Sequence, residues 1–192
     1  MKLLALMGSP REGGNTDMLV DEAVEAAAEA GADVEKINLH TALAGEMCNG
    51  CLACTQAAKC VVDPATDAVL EKIKAADAVL LASPVWWLSV SSQVKALIDH
   101  FQVFLNDDFT SRIPAKRIGV ICVCGGKEEA IAEAAINQLS QVFTILHLDV
   151  VGTVAAAGFD RKGAVAADLP TCEKARALAR ALVTPAPQAG GH

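Results

Sequence analysis

Short apolar runs alternate with helical patterns along most of the chain, and this alternation limits the possible fold more than any other feature. Such alternation is typical of βαβ units, in which buried parallel strands are covered by helices on both faces. The pattern predicts five strands, at residues 2–7, 33–39, 77–83, 117–124 and 149–155. It also predicts five helices, at residues 16–30, 65–76, 92–105, 128–145 and 171–183.

Five strands with five helices predict a flavodoxin-like, doubly wound α/β fold. Its five-stranded parallel sheet is expected to have the strand order 2-1-3-4-5. In such sheets a ligand binds outside the carboxyl ends of the strands, at the point where the strand order reverses. The loops that follow the strands are therefore where a functional site is expected.

Composition favours one domain. The chain has 192 residues, of which 53% are hydrophobic and 20% charged, so it can bury one sizeable core. We expect a single domain over residues 1–183 with a cysteine-rich loop at 45–63, and a disordered tail over 184–192.

The apolar start is interrupted at Gly8, too early for a signal peptide or a membrane span, so we expect a cytoplasmic protein without a membrane role. A net charge of −7 without any basic run argues against nucleic acid as a partner.

The cysteine-rich loop contains four thiols within thirteen residues, with the spacing C-x2-C-x2-C-x5-C. Such density indicates a soft metal centre. A compact run suits a [4Fe–4S] cluster, because each thiolate of a cubane caps a different iron, whereas a single zinc ion usually takes two separated pairs. Zinc, disulfides, redox thiols and a vestigial motif remain alternatives. The predicted ligands are Cys48, Cys51, Cys54 and Cys60, while Cys122, Cys124 and Cys172 are expected to be core residues.

The loop after the first strand has the composition of a phosphate-binding loop. Small residues let the backbone curl round an anion, and the next helix directs its N-terminus to the same place. The loop lacks both the lysine of a Walker motif and a G-x-G-x-x-G pattern, so a terminal monophosphate such as that of FMN is the predicted ligand. The alternative is a turn in which Asn15 or Thr16 only caps the helix. The predicted phosphate-site residues are Ser9, Arg11, Gly14, Asn15 and Thr16.

Two further loops after strands have unusual sequences. Pro84, Val85, Trp86 and Trp87 follow the third strand and include both tryptophans of a chain without tyrosine. Adjacent indoles on a loop predict a binding partner that covers them, either the flat isoalloxazine ring of FMN or a second subunit. After the fourth strand, the run Cys124, Gly125 and Gly126 lets backbone amides approach a flavin, or merely forms a turn.

Together these residues resemble the iron-sulfur flavoproteins, a branch of the NADPH-dependent FMN reductase group. The resemblance covers roughly residues 1–160 and rests on three motifs. They are Gly8-Ser9-Pro10-Arg11 with Gly14-Asn15-Thr16, the cysteine run, and Ser83-Pro84-Val85-Trp86-Trp87 with Ser92-x-x-Lys95-x-x-x-Asp99. The resemblance implies FMN and a [4Fe–4S] cluster, in a homodimer or homotetramer where the cluster of one subunit approaches the flavin of another. Two departures are Trp86, where tyrosine is usual, and His100, where arginine is common.

These motifs predict an FMN-dependent oxidoreductase that passes electrons between the cluster and FMN, with ferredoxin or NAD(P)H as the electron donor. Cofactors of this kind carry the chemistry themselves, so no side chain is assigned a catalytic role. One alternative is an NAD(P)H-dependent FMN, quinone or azo reductase without a working cluster. Another is a non-catalytic, redox-responsive binding module.

Overall fold

Five long strands form one parallel sheet in the computed structural model, which describes residues 1–43, 45 and 47–184. Their order across the sheet is β2-β1-β3-β5-β6, and the two-residue strand β4 pairs antiparallel with the end of β3. Among the five parallel strands this is the predicted order 2-1-3-4-5, so the flavodoxin-like fold is confirmed. The strands are β1 (Lys2–Met7), β2 (Asp33–Asn38), β3 (Ala78–Trp86), β4 (Ser89–Val90), β5 (Arg117–Val123) and β6 (Asp149–Ala156).

Seven α-helices accompany the sheet within the described ranges. Two of them, α1 and α7, cover one face, and α4, α5 and α6 cover the other. They are α1 (Asn15–Glu29), α2 (Leu39–Ala42), α3 (Cys54–Ala57), α4 (Pro64–Ala75), α5 (Ser92–Asp99), α6 (Glu129–Ile145) and α7 (Leu169–Val183). No described helix has the length and apolar character that crossing a bilayer requires.

Both faces of the sheet are buried, which explains the uninterrupted apolar runs of the sequence. In β1, Leu4 and Leu6 face the layer of α4, α5 and α6, whereas Leu3 and Ala5 face α1 and α7. None of the four is more than 1% exposed. Truncating one such leucine to alanine typically costs about 2–5 kcal/mol. Burial on both faces therefore fixes the register of the strands. Because the strands are parallel, β1, β3, β5 and β6 end at the same edge of the sheet.

The predicted loop at Pro84–Trp87 is largely a strand, so the expected end of the third strand at residue 83 is wrong. β3 continues to Trp86 and turns back through a hairpin, where Val85 pairs with Val90 and Trp86 with Ser89. Antiparallel partners close by in sequence satisfy the backbone beyond the parallel sheet. The turn places Trp87 and Leu88 in the left-handed region, with φ of 51° and 63°.

The single helix predicted for residues 92–105 is also wrong. The α-helix ends at Asp99, and the chain tightens into a 3-10 helix over His100–Phe104. Residues three apart eclipse one another in a 3-10 helix. Phe101 and Phe104 accordingly pack on one side, with ring centroids 5.1 Å apart and the ring planes tilted by 44°, and both are buried. Of the tail predicted to be disordered, residues 185–192 lie outside the described residues.

Candidate functional site

A cleft of about 250 Å³ lies at the carboxyl edge of the sheet, among the loops that follow β1, β3, β5 and β6. It brings together most of the residues predicted from the sequence, although it leaves out Trp87 and Gly126. The predicted residues that line it are Ser9, Arg11, Gly14, Asn15, Thr16, Pro84, Val85, Trp86, Cys124 and Gly125. The sequence analysis missed Val123, Phe159, Asp160 and Lys162, which also line it.

The loop after β1 leaves no room for side chains at two glycines. A Cβ on Gly14 would lie 2.8 Å from the Arg11 carbonyl oxygen, and one on Gly8 would lie 2.3 Å from Val94 Cγ2. Gly14 is also the N-cap of α1, where no side chain bonds the exposed N–H groups. The alternative prediction, that Asn15 or Thr16 caps this helix, is therefore wrong. A backbone cradle at a helix N-terminus suits an anion such as a phosphate.

The Asn15 side chain has a role that the sequence did not predict. Its Nδ2 donates to the carbonyl oxygens of Phe159 and Arg161, at 2.9 and 2.8 Å. Its Oδ1 accepts from Val165 N at 3.1 Å. The side-chain donor predicted to face a ligand instead holds the segment that follows β6, and Asn15 contributes to the cleft by position.

The two tryptophans are placed differently. Trp86 lies at the end of β3, lines the cleft and is 37% exposed. Trp87 lies at the hairpin tip, fully exposed. Trp86 is thus part of the cleft wall, while Trp87 lies in solvent.

The run after β5 contributes close backbone rather than reactive thiol chemistry. Cys124 is 4% exposed, and burial raises the pKa of its thiol. A Cβ on Gly125 would lie 3.2 Å from Asp160, so a side chain here would press against the segment after β6. The expectation that Cys122, Cys124 and Cys172 are core residues is confirmed, since all three are buried.

The four thiols of the cysteine run line a second cavity, whose lining shares no residue with the cleft. Cys48 and Cys51 are exposed, whereas Cys54 and Cys60 are partly buried and pack against the core. Burial, with smaller effects from the three other thiols of the run, raises the pKa of Cys54. All seven cysteines lie in the described ranges, and none forms a disulfide.

Several contacts hold the cysteine loop in place. Arg112 Nη1 donates to the Cys54 carbonyl oxygen at 2.9 Å, and Nη2 donates to that of Thr55. Asp67 Oδ1 accepts from Cys60 N at 2.7 Å. The two partly buried thiols are therefore fixed by hydrogen bonds to their own main chain.

The donor set of this cavity suits a soft metal centre. His100 also lines it, and its Nδ1 contacts the Ala96 carbonyl oxygen at 2.8 Å while its buried Nε2 has no hydrogen-bond partner in the described structure. As the side chains lie, however, no three histidine, cysteine or carboxylate groups among the described residues are arranged to bind a single ion. The four thiols thus line one cavity, but their side chains are not oriented toward a single point.

This fold, with a glycine cradle and an aromatic side chain in a cleft at the switch point, defines a flavodoxin-like flavoprotein. The chain belongs to the NADPH-dependent FMN reductase family, whose model matches residues 1–162. Within that family it belongs to the iron-sulfur flavoprotein branch, which confirms the resemblance seen in the sequence. It is therefore a flavin-dependent oxidoreductase.

Two relatives and one solved structure illustrate the likeness. The chain is 36% identical to an iron-sulfur flavoprotein of Methanocaldococcus jannaschii, over 79% of this chain and 76% of the relative. It is 29% identical to an iron-sulfur flavoprotein of Methanosarcina thermophila, over 79% and 78%. An FMN-dependent NADH-azoreductase of Bacillus anthracis, solved in complex with FMN, shares the fold with a TM-score of 0.71 at 14% identity, covering 96% of this chain and 100% of that one.

Proposed function

We propose that this chain passes electrons between a [4Fe–4S] cluster on Cys48, Cys51, Cys54 and Cys60 and FMN in the cleft. The observation that carries the proposal is that all four thiols of the run line one cavity, separate from the cleft. The names of the iron-sulfur flavoprotein relatives support it. Electrons would enter from ferredoxin or NAD(P)H.

The residues of the chain would bind and orient the two cofactors. The N-terminus of α1 and the Gly14 backbone would bind the phosphate, Trp86 would supply an aromatic surface, and the backbone at Gly125 would leave room for close approach of the ring. When bound, FMN supplies two-electron chemistry and the cluster supplies one-electron transfer. Cys54 and Cys60, fixed against the core, would hold one side of the cluster.

Anaerobic purification followed by iron, sulfide, zinc and flavin analysis tests this function. We expect about four irons and four acid-labile sulfides per chain, with FMN bound in clear preference to FAD, because the cradle is built for a terminal phosphate. One zinc without sulfide would overturn the cluster. Equal affinity for FMN and FAD would overturn the cleft as an FMN site.

The second candidate is an NAD(P)H-dependent FMN, quinone or azo reductase without a working cluster. The match to the NADPH-dependent FMN reductase model favours it, as does the absence of a three-ligand ion site among the described residues. Rapid flavin reduction by NADPH in protein free of iron would support this candidate. If neither NADPH nor reduced ferredoxin reduces the flavin, the third candidate, a redox-responsive binding module, remains.

A homodimer or homotetramer is part of the proposal. Several apolar side chains that line the cysteine cavity or lie at the hairpin tip are largely exposed, among them Leu52, Val61 and Leu88. Apolar surface of this kind is often covered by another subunit. Light scattering of the loaded protein would show whether the chain assembles.

A further inference from the structure

The segment that follows β6, residues 158–162, lines the cleft through Phe159, Asp160 and Lys162, and it contacts the loops after both β5 and β1. At one end Gly158 N donates to the Gly126 carbonyl oxygen at 2.6 Å, and Phe159 N donates to that of Cys124 at 3.1 Å. These bonds join the segment to the loop after β5. This end of the cleft is where the backbone at Gly125 would approach a flavin ring.

At the other end the segment reaches the cradle after β1. The Lys162 side chain lies over Gly13, with Cε 3.7 Å and Nζ 3.9 Å from the place that a Cβ on Gly13 would occupy. Asp160 comes before Lys162 in the segment and packs against Gly125, at the end of the cleft formed by the loop after β5. Both Asp160 and Lys162 line the cleft.

Asn15 fixes the segment relative to the first turn of α1. Its Nδ2 donates to two carbonyl oxygens of the segment and its Oδ1 accepts from Val165 N, so both of its donors are used. An aspartate would lack the two donors, and a leucine would lack every bond. The geometry of the segment is therefore tied to that of the cradle.

We propose that residues 158–162 form a third flavin-binding element, in which Lys162 pairs with the terminal phosphate and Asp160 accepts hydrogen bonds from the ribityl hydroxyls. This deepens the proposed function and rests on FMN as the ligand of the cleft. Asp160 packs against Gly125 while Lys162 lies over Gly13, so the Asp160 carboxylate is on the ring side of the proposed phosphate position. In a chain of net charge −7, a cation beside the cradle offsets repulsion of the phosphate.

Affinities for FMN and for riboflavin, which lacks the phosphate, test Lys162. Lys162→Ala should weaken FMN binding by about tenfold or more, as expected for a charge-assisted contact, and change riboflavin binding by less than about twofold. Arg161→Ala is the matched control, because Arg161 carries the same charge next door but does not line the cleft. Equal losses in the two variants, or an equal loss of riboflavin, would overturn the role of Lys162.

Asp160→Ala tests the ribityl contact separately. It should weaken FMN and riboflavin by similar factors, since both ligands have the ribityl chain. Unchanged binding of both flavins would remove Asp160 from the element. If the unaltered protein binds FMN no more tightly than riboflavin, the cleft itself is not an FMN phosphate site, and the failure belongs to the proposed function. If it prefers FMN while Lys162→Ala matches Arg161→Ala, only the present inference fails.

Discussion

Cys122 lies in β5 with its side chain fully buried, and burial, with a smaller effect of Cys124, raises its pKa to about 12. Between pH 9 and pH 12 the unfolded chain would lose a thiol proton that the folded chain keeps. The unfolded state then binds fewer protons, so the free energy of unfolding should fall as pH rises, by up to about 1.4 kcal/mol per pH unit. Urea unfolding of the apoprotein across this range would measure the slope.

Cys122→Ala should flatten that slope, whatever the variant loses in absolute stability from the smaller side chain. Cys48→Ala is the matched control, because that thiol is exposed. An identical slope in Cys122→Ala and the unaltered protein would show that Cys122 ionises in the folded state as it does in the unfolded one.

Single residues also show which parts of the candidate site could be predicted from the sequence. Residue type and position after a strand were enough to place Gly14 and Trp86 in the cleft. The hydrogen-bond partners of the Asn15 side chain could not be predicted, because an amide in a glycine-rich loop can bond a ligand or a distant backbone group equally well. Lys162 lay after the last strand, in a loop without a motif, although the rule that sites form at carboxyl ends applies there too.

At the scale of elements, the β3–β4 hairpin separates the roles of the two tryptophans. Trp86→Ala should weaken FMN binding, because Trp86 lines the cleft, and FMN should quench its fluorescence. Trp87→Ala should leave the FMN affinity within about twofold, since a fully exposed side chain at the tip loses no contact in the cleft. Equal weakening in both variants would contradict this division, and a change of oligomeric state in Trp87→Ala alone would assign that side chain to a subunit interface.

The helical turn α3 carries Cys54, and Arg112 fixes it through two carbonyl oxygens. Arg112→Met keeps much of the apolar length of the side chain and removes the two donors to α3, together with the Nε donor to Asn106. We therefore expect faster loss of iron to a chelator, with FMN retained. Arg117→Met is the control, because Arg117 instead bonds the Thr184 carbonyl oxygen at the end of α7. Iron loss at the same rate in both variants would show that the clamp on α3 does not hold the metal.

Elements were predictable where periodicity alone decides them. All five parallel strands and the helices flanking them were found, since the sheet buries both faces. The hairpin at β3–β4 was missed because its turn residues, Trp87 and Leu88, are not those that favour positive φ. The end of α5 at Asp99 was missed because the 3-10 turn depends on how Phe101 and Phe104 pack in the finished core.

At the scale of the whole molecule, the two proposed cofactor sites lie in separate cavities, so we expect the cluster and FMN to bind independently of each other. Changing Cys48, Cys51, Cys54 or Cys60 singly to Ala should abolish or strongly destabilise the cluster, because a cubane needs all four ligands. FMN should remain bound, since the cleft is lined by other residues. Cys172→Ala is the control, because Cys172 is a buried residue of α7, and this variant should keep both cofactors.

Reduction kinetics decide whether the cluster lies on the electron path to the flavin. Reduced ferredoxin should reduce the flavin of the unaltered protein and of Cys172→Ala, and fail to do so in the four single variants of the cysteine run. Dithionite, a small reductant that needs no protein surface, should still reduce their flavin and so show that the cleft is intact. Flavin reduction by ferredoxin at an unchanged rate in the cluster-free variants would place the cluster off the path. The cysteine cavity would then serve assembly or sensing, and electrons would reach the cleft directly.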